Sequence, residues 1–253
     1  MKTAICLFLA ALVALTPVVT SAAGVENWYF RFNQGAERPT VMGGSELPDK
    51  YGALYMGAED ERVIYLTFDA GYGNESLQSV LDTLKASGVT ATFFILPGLI
   101  KYNLPMVEQM IADGHIVANH SYSHGNMGRI NDIDAFKKEL TAAEDCYREA
   151  TGKELAKLFR PPEGAFSENT LRFCKELGYT PVFWSFAYAD WDNGKQPNTD
   201  AALKKVLSCL HNGEIMLLHP TSATNAAILG DLIREAQSQG YRFGSLSELC
   251  SIG

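Results

Sequence analysis

From residue 63 onward, short runs of β-branched and aromatic residues alternate with longer amphipathic stretches, several of which end at glycine. The strand-like runs are VIYLTF, TATFFIL, HIVAN, KLF, YTPVFW, EIMLLH and YRF. The helix-like stretches lie near residues 74–87, 104–113, 134–151, 167–177, 200–210 and 225–239. Such alternation indicates a parallel sheet covered by helices. No Gly-x-Gly-x-x-Gly turn follows the first strand, which favours a barrel over a dinucleotide-binding open sheet. The pattern therefore predicts an α/β fold, a distorted (β/α) barrel of about seven parallel strands.

The residues before this alternating region fall into two parts. Residues 24–62 are irregular, rich in Gly and Pro, and carry an aromatic cluster at Trp28, Tyr29, Phe30 and Phe32. We expect them to form an arm that packs on the domain of residues 63–253. Residues 1–23 combine Lys2, the apolar run AICLFLAALVAL and the small residues SAA, as a signal peptide does. A retained membrane anchor is the alternative, but the small residues at the end favour cleavage and export, with no stable membrane span afterwards.

The net charge and the cysteine content bear on the binding partners and on the redox state of the protein. The 253-residue chain has 29 acidic and 21 basic residues, a net charge of −8, which argues against nucleic-acid binding because phosphate contacts need Lys and Arg. Cys146, Cys174, Cys209 and Cys250 remain after signal cleavage, and four exported cysteines allow three pairings. Buried free thiols are an equally good interpretation. The sequence leaves the oligomeric state open.

Five polar residues stand at or shortly after the ends of strand-like runs: Asp69, His120, Arg160, Asp190 and His219. Parallel α/β folds place their active sites at the C-terminal ends of the strands. A carboxylate base, a metal-type imidazole, a cation and an acid/base histidine at one edge indicate metal-assisted hydrolysis.

Each of these residues also has a plain structural interpretation. His120 and His124, four apart on a helical turn, could share one metal ion or be two ordinary polar histidines. Asp69 could be a general base or a turn former. Arg160, stiffened by two following prolines, could orient a catalytic carboxylate or pair at the surface. His219 could be a satisfied core histidine, or a general acid whose pKa a carboxylate such as Asp190 raises.

Five blocks in order, TFDAG, HSYSH, RPPEG, the Asp190-Trp191 pair and the LLH that ends at His219, resemble the polysaccharide deacetylase (NodB-homology) family, carbohydrate esterase family four. The resemblance runs from about Val63 to Leu249. Within the family, LTFDAGYGN, GHIVANHSYSH, FRPPEGAFSE and LLHPTSATNA look most like the delta-lactam-biosynthetic muramic-acid de-N-acetylases of spore-formers.

The resemblance implies roles for six residues. The catalytic set is Asp69 as base, Arg160 as its tether, His219 as general acid, and Asp190 as the carboxylate that tunes it. His120 and His124 match the ligands of a divalent metal, expected to be zinc. Substrate contacts are expected from Tyr72, Pro162 and Trp191.

The implied function is an exported peptidoglycan N-deacetylase that acts on N-acetylmuramic acid, in the cell wall or in the intermembrane space of a forming spore. The partner is then the peptidoglycan glycan strand. Close alternatives are a deacetylase of N-acetylglucosamine or chito-oligosaccharides, and an acetyl-xylan esterase. An inactive glycan-binding module is the alternative of another class.

Two positions depart from the family pattern. Most members read TFDDG, with the second Asp on the metal, but this chain has Ala70, as the delta-lactam subgroup does. Because a methyl group cannot bind an ion, we expect weaker or less selective metal binding, with ions other than zinc acceptable. Ala187 replaces an Asp or Asn that many relatives have three residues before Asp190.

Overall fold

The computed structural model describes residues 24–33 and 37–250. The expected signal peptide of residues 1–23 lies outside the described residues. The strands are β1 (Glu26–Asn27), β2 (Tyr29–Arg31), β3 (Thr40–Met42), β4 (Val63–Ala70), β5 (Thr92–Ile95), β6 (Ile116–Asn119), β7 (Ala156–Phe159), β8 (Ala165–Phe166), β9 (Thr180–Pro181), β10 (Glu214–Leu218) and β11 (Arg242–Gly244). The helices are α1 (Glu46–Lys50), α2 (Glu75–Ser87), α3 (Pro97–Ala112), α4 (Ile133–Thr151), α5 (Glu168–Glu176), α6 (Thr199–Ser208), α7 (Ala223–Ser238) and α8 (Leu246–Cys250), with 3₁₀ turns at Met127–Arg129 and Pro162–Gly164.

Seven parallel strands form one curled sheet, which confirms the predicted fold class. Their order is β10-β4-β5-β6-β7-β9, and β11 pairs with the beginning of β4. Residues of β4 alternate between two apolar environments, because successive side chains of a strand point to opposite faces. Leu66 and Phe68 join the large core beneath the helices, whereas Val63 and Tyr65 join a smaller core inside the curled sheet.

The arm closes the gap between the two ends of this sheet. Leu54 forms a parallel bridge to Val182, and Met56 an antiparallel bridge to Glu214 at the start of β10. Further out, the buried Trp28 stacks on Phe183 and donates its indole N–H to the carbonyl of residue 184, at 2.7 Å. The described residues of the arm, 24–33 and 37–62, thus contact the sheet at Leu54 and Met56 and the segment that follows β9 at Trp28.

The predicted helices, except α3, begin and end close to their expected bounds. Asn74 and Ser167 cap α2 and α5 with their side chains, and Gly88 and Gly152 end α2 and α4 in the left-handed conformation. Helix α3 is longer than predicted, because it begins at Pro97 and continues past a non-helical residue, Asn103.

The predicted strand YTPVFW is wrong in its extent. Only Thr180 and Pro181 form β9. Beyond β9, the carbonyl oxygen of Leu54 in the arm accepts from the amide of Phe183 at 2.7 Å, where a neighbouring strand would otherwise bond. Phe186 then bridges to Met216 of β10. The arm therefore interrupts the strand that the sequence pattern predicts.

Two other features bear on the sequence expectations. All four described cysteines carry free thiols, which favours the second interpretation of the cysteine set. Within residues 24–33 and 37–250, no helix is both long and apolar enough to span a bilayer.

Candidate active site

Four of the five predicted polar residues lie at one edge of the sheet. Asp69 is the penultimate residue of β4, and His120, Arg160 and His219 directly follow β6, β7 and β10. Asp190 stands in the loop between Phe186 and α6, and it reaches His219. The C-terminal edge of the sheet thus gathers the residues that the sequence pattern selected.

Asp69 is held by a buried arginine. The Arg160 side chain has no solvent exposure, and its Nη1 donates to Asp69 Oδ1 at 2.8 Å. Its other donors reach Thr67 Oγ1 at 2.9 Å and the carbonyls of residues 182 and 183, while the guanidinium lies 4.2 Å above the Phe94 ring. Burial opposes ionisation of Asp69, but Arg160, with His120 and His219, brings its pKa below the ordinary value. Asp69 is therefore an oriented, ionised carboxylate at neutral pH.

His120 presents an unprotonated nitrogen to that carboxylate. Its Nδ1 lies 2.9 Å from the carbonyl oxygen of Arg160, and because a carbonyl only accepts, Nδ1 carries the proton. Burial lowers the pKa of His120 to about 4, so the ring is neutral at neutral pH. Its Nε2 then faces Asp69 Oδ2 across 3.7 Å, with a lone pair on each side. Two buried acceptors that converge in this way suit a shared cation.

His124 approaches His120 through a loop, not through a helical turn as the sequence analysis assumed. The residues between them are irregular, and both Ser121 (φ 73°) and His124 (φ 57°) adopt the left-handed conformation. This backbone brings the two imidazole rings to 5.1 Å between centroids, with planes at 71°. Each non-glycine residue in that conformation costs roughly 1–3 kcal/mol, which the surrounding contacts must offset.

The donor chemistry of Asp69, His120 and His124 fits a divalent ion. A backbone carbonyl fixes the tautomer of His120, which is how metal-binding histidines are usually oriented. Among the described residues, no three His, Cys, Asp or Glu side chains stand close enough together to hold an ion, so Asp69, His120 and His124 supply the donor types but do not form a three-ligand cluster. Ala70 adds no donor, because a methyl group cannot bind an ion. Its side chain is buried in the core under the helices.

The second acid/base unit is an aspartate–histidine pair. Asp190 is buried, and its Oδ1 accepts from Nδ1 of His219 at 2.8 Å. Oδ2 accepts from the backbone N–H of His219 at 2.8 Å and from Nδ2 of Asn225 at 2.6 Å. Burial opposes the charged form of His219, but Asp190, and then Asp69, raise its pKa above the ordinary value. The Nε2 of this imidazole is left to exchange a proton.

Asn225 and Thr67 are parts of the site that the sequence analysis missed. Asn225 stands in the first turn of α7, bonds both Asp190 and the His219 carbonyl, and accepts from the hydroxyl of Tyr188. Thr67 donates to the carbonyl of residue 216 and accepts from Arg160. Both residue types occur widely in turns and strands. Only their partners, distant in sequence, reveal what they do.

The predicted substrate-contact residues differ in exposure. Trp191 is 62% exposed and its ring lies 6.3 Å from that of His219, while Tyr72 is 50% exposed and bonds Asn193 across the loops. Both can present an aromatic face to a ligand. Pro162 is buried in its 3₁₀ turn after Arg160, where little of its surface is open to a ligand.

The C-terminal edge of this curled parallel sheet carries a carboxylate–arginine pair and an aspartate–histidine pair. This arrangement is that of a hydrolase of the polysaccharide deacetylase type. A family model described as polysaccharide deacetylase matches residues 56–182. The chain belongs to this family, which is carbohydrate esterase family four.

Its relatives include enzymes and a protein described as a pseudoenzyme. The chain is 38% identical over 226 residues to the peptidoglycan-N-acetylmuramic acid deacetylase PdaA of Bacillus subtilis, covering 88% of this chain and 85% of that protein. The structure of PdaA, a family 4 carbohydrate esterase, superposes with a TM-score of 0.85 at 37% identity, over 89% of this chain and 97% of that one. A pseudoenzyme of the same family from Bacillus anthracis gives a TM-score of 0.70 at 29% identity, over 77% and 67%.

Proposed function

We propose that the protein is a peptidoglycan N-deacetylase that hydrolyses the acetamide of N-acetylmuramic acid, of the kind that leads to the muramic delta-lactam. The observation that carries the reaction is the pair of opposed acid/base units at one edge of the sheet. Arg160 lowers the pKa of Asp69 and so favours its ionised form, whereas Asp190 raises the pKa of His219 and so favours its protonated form. Groups whose environments move their pKa values apart suit the base and acid steps of one reaction.

The residues divide the reaction between them. Asp69 accepts a proton from the attacking water, whose oxygen forms the new bond to the acetamide carbon. His219 gives a proton to the amide nitrogen as the C–N bond breaks, since an amide anion is too poor a leaving group. Arg160 holds Asp69 in position, and Asp190 accepts from the Nδ1–H of His219, so that the proton His219 transfers is the one on Nε2. The products are acetate and the free amine of the sugar.

The proposed cofactor is a divalent ion, with zinc expected, held by His120 and His124 beside Asp69. When bound, such an ion polarises the acetamide carbonyl and lowers the pKa of water. The facing lone pairs of His120 and Asp69 support this assignment. The missing oxygen at Ala70 leaves room for ions other than zinc.

Muramic acid is the proposed sugar because the similarity to the muramic acid deacetylase of B. subtilis extends over 88% of the chain. A peptidoglycan-N-acetylglucosamine deacetylase of Bacillus cereus is 29% identical over 79% of the chain, so glucosamine is the close alternative. Trp191 and Tyr72 are proposed to contact the sugar rings, with Pro162 shaping the loop beneath. Export rests on the pattern of residues 1–23, and placement in the cell wall or a forming spore follows from the proposed substrate.

The test is acetate release from peptide-free peptidoglycan strands, with mass spectrometry of the muramic acid. The expected result is loss of one acetyl group per modified muramic acid with the native protein and no detectable loss with Asp69→Asn. Asp231→Asn is the matched control, because Asp231 is an exposed residue of α7 whose one ion pair among the described residues is with its own helix neighbour Arg234. Full activity in Asp69→Asn would show that this mechanism is wrong, and release from chito-oligomers alone would change the substrate.

An inactive glycan-binding protein is the second candidate, since Ala70 provides no metal ligand and a pseudoenzyme is among the relatives. Against it, the site keeps an ionised carboxylate on a fully buried arginine and a histidine bonded to a buried aspartate. Recognition of a sugar does not require either pair. Glycan binding without acetate release, in the presence of zinc, cobalt or manganese, would favour this candidate.

A further inference from the structure

The loop between the two metal-type histidines is held in a strained conformation. Three non-glycine residues have a positive φ in the described ranges, and two of them are Ser121 and His124. Such residues persist where surrounding contacts fix them, and they cluster at functional sites. The contacts that fix this loop therefore decide where the His124 ring stands.

One set of contacts comes from the end of β6. The Asn119 side chain accepts from the amide of Ser121 at 2.9 Å, and the Ser121 hydroxyl accepts from the amide of His124 at 3.0 Å. Asn119 is itself held by the carbonyl of Leu140 in α4, at 3.0 Å, and by the hydroxyl of Tyr179. This chain of bonds fixes both ends of the turn.

The other set comes from one carboxylate on α4. Glu139 Oε2 accepts from the amides of Tyr122 and Ser123, at 3.2 and 2.9 Å. The Ser123 hydroxyl lies 3.0 Å from both carboxylate oxygens. Glu139 is half-buried, and it gathers three donors from the middle of the loop, where the chain contains no secondary structure to satisfy them.

We infer that Glu139 is a positioning residue for the metal site: it fixes the Ser121–His124 loop so that His124 stands beside His120 ready to bind the ion. The inference rests on the proposed function only in taking these two histidines as ligands. Glu139 touches neither imidazole and acts through the backbone between them. Residues that orient metal ligands in this way typically change metal affinity by about 10–100-fold when lost.

The experiment compares Glu139→Ala, Glu139→Gln and Glu149→Ala in the purified protein, by calorimetric titration of zinc and by hydrogen exchange of the metal-free form. Glu149 is the matched control, because it is an exposed glutamate of the same helix and no described residue bonds its carboxylate. Gln can keep the acceptor for both amides and donate to Ser123 Oγ, so it preserves the geometry while it removes the charge.

In Glu139→Ala we expect zinc affinity to fall by about tenfold or more and the amides of Tyr122 and Ser123 to exchange faster. The zinc affinity of Glu139→Gln should stay within about threefold of that of the native protein, and the zinc affinity of Glu149→Ala should equal that of the native protein. Native affinity and native exchange in Glu139→Ala would overturn the inference, and so would a native protein that binds no divalent ion.

If Glu139→Ala does not fold, Ser123→Ala carries the test, because it removes the hydroxyl contact and keeps both amide bonds. A loss of zinc affinity of about two- to threefold is then expected, and an unchanged affinity counts against the inference. Neither readout uses turnover. A protein that behaves as expected but releases no acetate would refute the deacetylase proposal and leave the role of Glu139 standing.

Discussion

Replacing Arg160 with methionine tests the physical basis of the site most directly. The arginine is fully buried, bonds Asp69, Thr67 and two backbone carbonyls, and packs on the Phe94 ring. Methionine fills a similar apolar volume over that ring but brings neither charge nor donors. Removing one partner of a buried ion pair costs about 3–5 kcal/mol, because the remaining charge stays buried without compensation. We expect the free energy of unfolding at pH 7 to fall by about that amount.

The loss of unfolding free energy in Arg160→Met should become smaller as the pH falls. In the native protein the pKa of Asp69 is lowered, so its contribution to stability is present at neutral pH and is lost as the pH falls through that pKa. Without Arg160, the influence of burial, which raises the pKa of Asp69, is no longer offset by the guanidinium. The unpaired carboxyl is then tolerated in its protonated form, and stability decreases as the pH rises. The difference between the two proteins should therefore be largest near neutral pH and shrink towards pH ~4.

The assay is urea-induced unfolding of both proteins between pH 4 and pH 8. Arg234→Met is the control, because Arg234 is exposed in a pair with Asp231, and exposed pairs contribute about 0–1 kcal/mol. A double variant with Asp69→Asn should recover part of the loss, since it removes the charge that Arg160→Met leaves unpaired. A pH-independent difference, or one no larger than that of the control, would refute the reasoning.

Three further outcomes follow from the proposed roles of the aspartate–histidine pair and of the metal ion. Because Asp190 raises the pKa of His219, Asp190→Asn should move the alkaline limb of kcat/KM to lower pH. The same change should reduce kcat on the order of 10²-fold, and a pH–rate profile measures both effects. Asn225→Ala should move the same limb less far and lower the free energy of unfolding by about 1–3 kcal/mol, measured by urea unfolding. Chelation of divalent ions should abolish acetate release and zinc should restore it, whereas activity that survives exhaustive chelation would contradict the proposed cofactor.

Much of the fold could be read from the chain because its strands and helices carry independent local signals. The buried run of β4 and the glycine that ends α4 are such signals, and the structure confirms them. The end of β9 could not be predicted correctly from the sequence. The length of this strand is set by Leu54, a residue of the arm that no local pattern connects to it.

The candidate site likewise combines residues that local sequence patterns reveal with residues that only tertiary contacts reveal. Asp69, Arg160 and His219 follow from where strands end, so sequence reasoning found their positions, although their roles stay predictions. The approach of His124 to His120 was expected from helical spacing, yet it arises from left-handed residues held by distant side chains. Glu139 and Asn225 carry no recognisable motif. Their importance lies in which backbone groups they satisfy, and that depends on tertiary structure.

The way the arm closes the sheet sets an order in which the molecule can assemble. Trp28 donates to a carbonyl 156 positions later in the chain, and Met56 forms its bridge with Glu214. These segments are made early but find their partners only when most of the polypeptide exists. Contacts of such long sequence separation form slowly, because the entropy of loop closure is lost before they contribute. Until they form, the gap between the ends of the sheet leaves strand edges unpaired, and this is the stage at which the chain is most exposed to aggregation.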